Sequence, residues 1–137
     1  MAARLSIIAY RGSPVDAPEF RHTALFIEFP NNETLLLHIT GASGFFATES
    51  KSGEEPTRSN KFIKKISVGV IQGQERANIE STIKATPIKN LDRSWNCQNW
   101  IGDALKRLSD QRWITPEARS AAIDAMAEVI IDAPDES

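Results

Sequence analysis

The chain has few of the residues that build disulfides and metal clusters. Its 137 residues include one cysteine and two histidines. A single cysteine excludes an internal disulfide, and a free thiol fits a reducing compartment, so we expect a cytoplasmic protein. No stretch approaches the ~20 apolar residues that a membrane span needs. The N-terminus also lacks the length and the cleavage pattern of a secretory signal, so we expect neither a membrane span nor secretion.

Strong charge of one sign is missing as well. The net charge is -2, which gives no field that would favour nucleic acid as a partner. Hydrophobic residues make up 41% and charged residues 25% of the chain, a balance typical of a globular protein with a real core. We expect a single domain over 1–137, of which 132–137 is a frayed tail.

The first half of the chain predicts strands. Residues 5–10 form a short apolar run that reads as a buried strand. Residues 22–29 and 33–40 are rich in aromatic and branched side chains and flank the turn signal Pro30-Asn31-Asn32, so they predict an antiparallel hairpin. Residues 62–71 alternate and predict a third long strand, with one face formed by Phe62, Ile66, Val68 and Val70. Residues 41–60 mix Gly, Ser, Glu and Lys and are interpreted as a loop with an exposed, mobile middle.

The second half predicts helices. Residues 74–84 are rich in helix formers and suggest a short surface helix. From Cys97 the apolar positions form one helical stripe, and Asp92 and Ser94 stand upstream as candidate caps. Thr115 and Pro116 are typical of the start of a further helix. Strands followed by helices predict an α+β fold, with an antiparallel sheet packed against C-terminal helices.

The one cysteine occupies a chemically favourable position. Cys97 lies in the first turn of its predicted helix, where unpaired amides and the positive end of the helix dipole favour a thiolate. The same amides could stabilise an oxyanion on an attacked carbonyl. An imidazole beside the thiol would complete a nucleophile with its base.

The two histidines flank the predicted hairpin. If the turn takes residues 29–31 or 28–32, His22 lies directly opposite His38 on one face, with their Cβ atoms ~5 Å apart. A two-residue turn at Asn31 and Asn32 would place them on opposite faces instead. Pro30 lacks an amide donor and favours the longer turn. The sequence therefore permits a pair in which one imidazole orients the other.

Other interpretations of these residues stay open. A lone cysteine on a helical stripe is commonly a small core residue. Cys97, His22 and His38 could instead bind zinc, although they lack the short spacing of zinc ligands; we expect no metal and no cofactor. Trp95, Gln98 and Gly41 are candidate substrate-binding residues, whereas Trp100 fits the core because it lies on the helical stripe.

The ordered set of residues resembles the circularly permuted papain-like superfamily. That group includes lecithin:retinol acyltransferase-like enzymes and permuted relatives of the NlpC/P60 peptidases. The similarity covers roughly residues 20–110: a histidine opens a strand in His22-Thr23-Ala24-Leu25-Phe26-Ile27, His38 stands on the partner strand, and Asn96-Cys97 opens a helix. After the cysteine the chain has Gln98-Asn99-Trp100 where the acyltransferase-like group has Glu-His-Phe.

This resemblance implies a permuted papain-like arrangement in which Cys97 is the nucleophile, His22 the base and His38 the residue that orients it. The expected function is a cysteine-dependent hydrolase or acyl-transfer enzyme that acts on an amide, ester or thioester of a small molecule or peptide. The alternative is a non-catalytic module that binds a small molecule or peptide on the same fold. Hydrolysis, transfer and cyclisation share their first half-reaction, so the residue types do not separate them.

Overall fold

Five antiparallel strands form one sheet in the computed structural model, which describes residues 2–133. The strands are β1 (Ala2–Tyr10), β2 (His22–Glu28), β3 (Thr34–Thr40), β4 (Ala47–Ser52) and β5 (Phe62–Gln72). Across the sheet they follow the order β4-β3-β2-β1-β5. Strands that are consecutive in the chain are therefore neighbours, except that β5 lies beside β1 and not beside β4.

Three helices follow the strands in the chain and cover one face of the sheet. They are α1 (Arg76–Lys84), α2 (Cys97–Asp110) and α3 (Pro116–Ile131). Helix α2 packs on β2 and β3, while α3 packs on β1 and β5. The α+β class and the packing of an antiparallel sheet against C-terminal helices are thus confirmed. No helix within residues 2–133 has the length and apolar character needed to cross a membrane.

Alternation along the strands separates two faces. Leu25, Ile27, Leu37 and Ile39 point to the helices and join the main core, so we call this the inner face. Ala24, Phe26 and Leu36 have the opposite parity and form a smaller cluster on the outer face. The predicted stripe of α2 is confirmed, since its buried residues are Cys97, Trp100, Ile101, Ala104, Leu105 and Leu108.

The start of α2 is capped differently from the prediction. The side chain of Asn96 accepts a hydrogen bond from the Gln98 amide, and the Asn99 side chain accepts one from the Asn96 amide. Asp92 instead accepts from Ser94 within the preceding turn, so the prediction that these two cap the helix is wrong. The extended backbone of Asn96 directly before Cys97 gives it the geometry of a cap, which the upstream residues lack.

The start of α3 matches the prediction. Thr115 caps the helix by accepting a hydrogen bond from the Ala118 amide, and Pro116 occupies the first helical position. The predicted fraying over 132–137 falls largely on residues outside the described part of the chain.

The segment 41–60 is not a loop throughout. Its residues Ala47–Ser52 form β4, and every residue of β4 pairs with a residue of β3. The sequence ATESKS has no apolar alternation because β4 is an edge strand whose side chains are exposed or half-buried. Charged residues on an edge discourage pairing with other chains, and here they also hid the strand from sequence patterning.

The predicted face of β5 is wrong at both of its ends. Phe62 packs against the outer cluster, whereas Ile66 and Val68 join the main core. Val70 is 45% exposed and Ile71 is fully buried, although the alternation assigned Val70 to the buried side. The pairing between β1 and β5 shifts between Leu5 and Ser6, where the partners step from Gly69 to Ser67. This bulge reverses the parity of the residues beyond it.

The β2–β3 hairpin turns one position later than predicted. Leu25 lies opposite Leu37, rather than opposite Leu35 as direct pairing of the two histidines requires. The turn closes with a hydrogen bond from the Phe29 amide to the Glu33 carbonyl. Asn32 adopts φ 66, a left-handed conformation that asparagine tolerates better than most residues.

A buried ion pair anchors the segment between β1 and β2. The Arg21 guanidinium donates to both carboxylate oxygens of Asp16 at 2.9 and 3.0 Å and to the Val129 carbonyl of α3 at 2.6 Å. The hydrogen bonds from Arg21 lower the pKa of Asp16 to about 2, so the carboxylate is ionised at neutral pH. Because Arg21 precedes His22 in the chain, this ion pair holds the residue directly before β2.

Removal of the buried carboxylate should destabilise the protein. Asp16→Ala leaves the Arg21 charge without its partner, and such losses cost about 3–5 kcal/mol of unfolding free energy. The side chains of Asp16 and Arg21 are only 2% and 8% exposed, so water does not replace the partner. The matched change Asp110→Ala removes an exposed helix pair with Lys106 and should cost about 0.5 kcal/mol. Equal losses in chemical denaturation of the two variants would contradict this account.

Candidate functional site

The two imidazoles meet on the outer face of the sheet. His22 Nε2 lies 2.7 Å from His38 Nδ1, and the ring planes cross at 64°. The turn at 30–32 makes the two residues diagonal neighbours rather than directly opposite ones. A register change of two positions keeps both side chains on one face, and long side chains bridge a diagonal pair. The structure thus brings the two predicted histidines together through a register that was not predicted.

A third polar residue extends this pair. His38 Nε2 lies 2.8 Å from Glu49 Oε1, and the two residues stand directly opposite each other across β3 and β4. The hydrogen bond from His38 lowers the pKa of Glu49. The sequence does not single out Glu49, because nothing in the pattern of ATESKS predicts a strand.

His22 sits between apolar and polar neighbours. It pairs with Tyr10 across β1 and β2, and the two rings stack with centroids 5.8 Å apart. Burial, and to a lesser degree the charge of His38, lowers the pKa of His22 to about 4. The imidazole is therefore neutral at neutral pH, and the same shift makes it a weaker base than a free imidazole.

Cys97 belongs to the inner layer and contacts the residue directly before β2. It opens α2 and is buried, and its sulfur lies 3.8 Å from the carbonyl oxygen of Arg21. Arg21 is the residue directly before His22. Within residues 2–133 the thiol makes no hydrogen bond to an imidazole. The structure therefore sets the thiol beside the start of β2 without joining it to the histidine pair.

The capping of α2 leaves the amide beside the thiol without a hydrogen bond to any described residue. The Asn96 side chain accepts hydrogen bonds from the amides of Gln98 and Asn99, and the Asn96 carbonyl accepts one from the amide of Trp100. The amide of Cys97 has no acceptor among residues 2–133. An N–H group at a helix start, next to a thiol, is suited to stabilise negative charge on an oxygen.

A cleft of about 750 Å³ includes both Cys97 and His22 among its lining residues. Trp95 and Gly41, two of the predicted substrate-binding residues, also line it. The Trp95 ring is held edge-on by Phe46, with centroids 6.0 Å apart. Gln98, the third predicted residue, does not line this cleft, and its side-chain amide lies 3.5 Å from the Pro18 carbonyl oxygen.

A second cavity of about 650 Å³ lies on the outer face and is lined by both His22 and His38. It shares Ser13, Phe20 and His22 with the cleft that contains Cys97. His22 therefore stands where the two spaces adjoin, whereas His38 borders only the outer one.

No metal site is evident in the part of the chain that the structure describes. Over residues 2–133, no three side chains of His, Cys, Asp or Glu converge as metal ligands would. The direct hydrogen bond between His22 and His38 also uses nitrogens that a shared zinc ion would need. Residues 2–133 therefore offer no set of ligands for a zinc ion bound by Cys97, His22 and His38.

Comparison with known proteins gives one match. A family model described as a family of unknown function, DUF6540, matches residues 8–115. The matched range contains His22, His38, Glu49 and Cys97. No curated protein matches the chain, and no solved structure does.

A side chain at Gly41 should strain the cleft wall. Gly41 has φ 107, and an added Cβ would lie 2.7 Å from the Phe45 carbonyl oxygen. We expect Gly41→Ala to cost about 1–3 kcal/mol of unfolding free energy. Gly53 also has a positive φ, 74, but nothing lies within 4 Å of its added Cβ, so Gly53→Ala should cost about 1 kcal/mol. A Gly41→Ala loss no greater than that of Gly53→Ala in denaturation would argue against the clash.

The lowered pKa of His22 predicts a pH dependence of stability. The unfolded chain binds a proton at His22 near its ordinary pKa of 6.5, whereas the folded protein binds one only near 4. Because the unfolded state binds more protons between these values, the free energy of unfolding should fall as the pH drops from 6.5 to 4. His22→Phe retains an aromatic ring beside Tyr10 but removes the titration. Its stability should depend less on pH in this range, and identical pH profiles would rule out the shift.

Proposed function

The chain belongs to DUF6540, a family of unknown function, and we propose from the geometry of its site that it is a cysteine-dependent hydrolase or acyl-transfer enzyme. One observation carries the proposal: Cys97 and His22 line the same cleft, and the thiol lies 3.8 Å from the carbonyl of the residue before His22. Catalytic hydrogen bonds commonly tighten only when substrate is bound.

In the proposed reaction, Cys97 attacks the carbonyl carbon of an amide, ester or thioester. The thiol proton passes to Nδ1 of His22, the ring nitrogen that has no hydrogen bond to His38. The amide of Cys97 donates to the oxyanion of the tetrahedral intermediate. As the intermediate collapses, His22 returns the proton to the leaving group and a thioester with Cys97 remains.

The second half-reaction regenerates the thiol. Water or an acceptor amine or alcohol gives its proton to His22 and attacks the thioester carbon. The released thiolate then recovers the proton. Water gives hydrolysis, a separate acceptor gives transfer, and an acceptor within the same molecule gives cyclisation.

The order of these groups supports the proposed relation to the permuted papain-like superfamily. His22 opens one strand, His38 stands on the next, and Cys97 opens the helix packed against them. In this interpretation His38 holds the ring of His22, and Trp95 and Gly41 contact substrate in the cleft. The free thiol is also consistent with our proposal that the protein works in the reducing cytoplasm.

The resting position of the thiol favours one alternative. Because Cys97 contacts a backbone carbonyl rather than an imidazole, the cleft could serve as a non-catalytic site for a small molecule or peptide. In that case the thiol would be an ordinary core residue, and its reactivity would not depend on His22.

Alkylation by iodoacetamide separates the two functions. An ordinary thiol is only a few per cent thiolate at neutral pH, so activation by His22 should speed labelling of Cys97 about tenfold over free cysteine. His22→Ala should remove that advantage, while Tyr10→Phe retains the stacked ring and should leave the rate unchanged. Labelling at the rate of free cysteine, and unaffected by His22→Ala, would refute the enzyme. Mass spectrometry of adducts on Cys97 after incubation with cell extract would then identify the acyl group of a true substrate.

A further inference from the structure

We propose that Glu49 is a positioning residue that fixes the tautomers of both imidazoles and leaves Nδ1 of His22 as the proton acceptor. The use of that nitrogen as a catalytic base rests on the proposed function, whereas the control of the tautomers does not. The proposal follows from three groups in a row: Glu49, His38 and His22, joined at 2.8 and 2.7 Å.

Glu49 determines which nitrogen of neutral His38 carries the hydrogen. An ionised carboxylate has acceptor sites only, so the nitrogen that faces Glu49 must carry a hydrogen. That nitrogen is Nε2. In the neutral imidazole the other nitrogen, Nδ1, is then an acceptor. Glu49 thereby decides which tautomer of neutral His38 is present.

The tautomer of His38 in turn determines the tautomer of His22. The nitrogen of His22 that faces the Nδ1 acceptor of His38 is Nε2, so Nε2 must be the donor. Neutral His22 then has its remaining lone pair on Nδ1, which makes no hydrogen bond within residues 2–133. The reverse arrangement would direct a His38 lone pair at the carboxylate and would lose a charge-assisted hydrogen bond.

Backbone pairing holds Glu49 in place for this role. Glu49 and His38 are directly opposite across two antiparallel strands, so their contact does not depend on a flexible loop. Lys51, two residues further along β4, places its Nζ 3.5 Å from the same Oε1. The lowered pKa of Glu49 agrees with a carboxylate that is ionised at neutral pH.

Nitrogen-15 NMR of the imidazoles at pH 8 tests the proposal directly, because the shifts of Nδ1 and Nε2 report which nitrogen is protonated. In the unaltered protein, His22 should be almost entirely in the Nε2–H form. Glu49→Ala frees His38 to take either tautomer, so the Nδ1–H form of His22 should become clearly populated. Glu49→Gln retains an acceptor oxygen and should restore part of the Nε2–H form. Glu54→Ala removes a nearby carboxylate that has no hydrogen bond to either ring, and it should change nothing.

Cys97 labelling provides the second readout. If His22 is the base, the labelling rate of Glu49→Ala should fall in proportion to the lost Nε2–H form, roughly two- to tenfold. The same His22 tautomer in Glu49→Ala and in the unaltered protein would overturn the inference, even if labelling depends on His22. If Glu49→Ala changes the His22 tautomer but His22→Ala leaves the labelling rate of Cys97 unchanged, the inference about Glu49 is upheld and the proposed enzymatic function is refuted.

Discussion

The register of three neighbouring strands is the constraint on which the site depends. Hydrogen bonds along β2, β3 and β4 place His22, His38 and Glu49 on the same face and within reach of one another. A slip of one residue in either pairing would turn one side chain to the opposite face and break the row. The left-handed Asn32 fixes the turn between β2 and β3, so a local backbone preference determines a contact between distant residues.

The thiol is positioned by a different set of interactions. The cap of Asn96 starts α2 at Cys97, and the stripe of α2 packs that helix on the inner face of the sheet. The ion pair of Asp16 with Arg21 then fixes the chain where it enters β2, and the Arg21 carbonyl meets the sulfur. Sheet register and helix packing therefore control the two halves of the site separately, and they converge only at the first residue of β2.

Sequence patterns predicted the parts of this arrangement that depend on burial. The stripe of α2 follows from helical periodicity, because the packed face must be apolar. The start of α3 follows from the capping threonine and the proline after it. The sequence predicted His22 and His38 on one face only if the hairpin turn had three or five residues, and it did not predict the register itself. Glu49 escaped prediction because an edge strand needs no apolar pattern, and its role arises only from a partner on another strand.

The permanent charge of the hydrogen-bonded row lies at its exposed end. The Glu49 side chain is 43% exposed, whereas that of His38 is 11% exposed and His22 is half-buried. Placing a charge in a buried site is costly, whereas a carboxylate at the surface remains solvated. The row therefore holds its permanent charge at the end that water reaches and a neutral imidazole at the end that lines the cleft of Cys97. Because hydrogen bonds connect the two ends, the exposed carboxylate determines the proton position of the His22 ring without the energetic cost of its own burial.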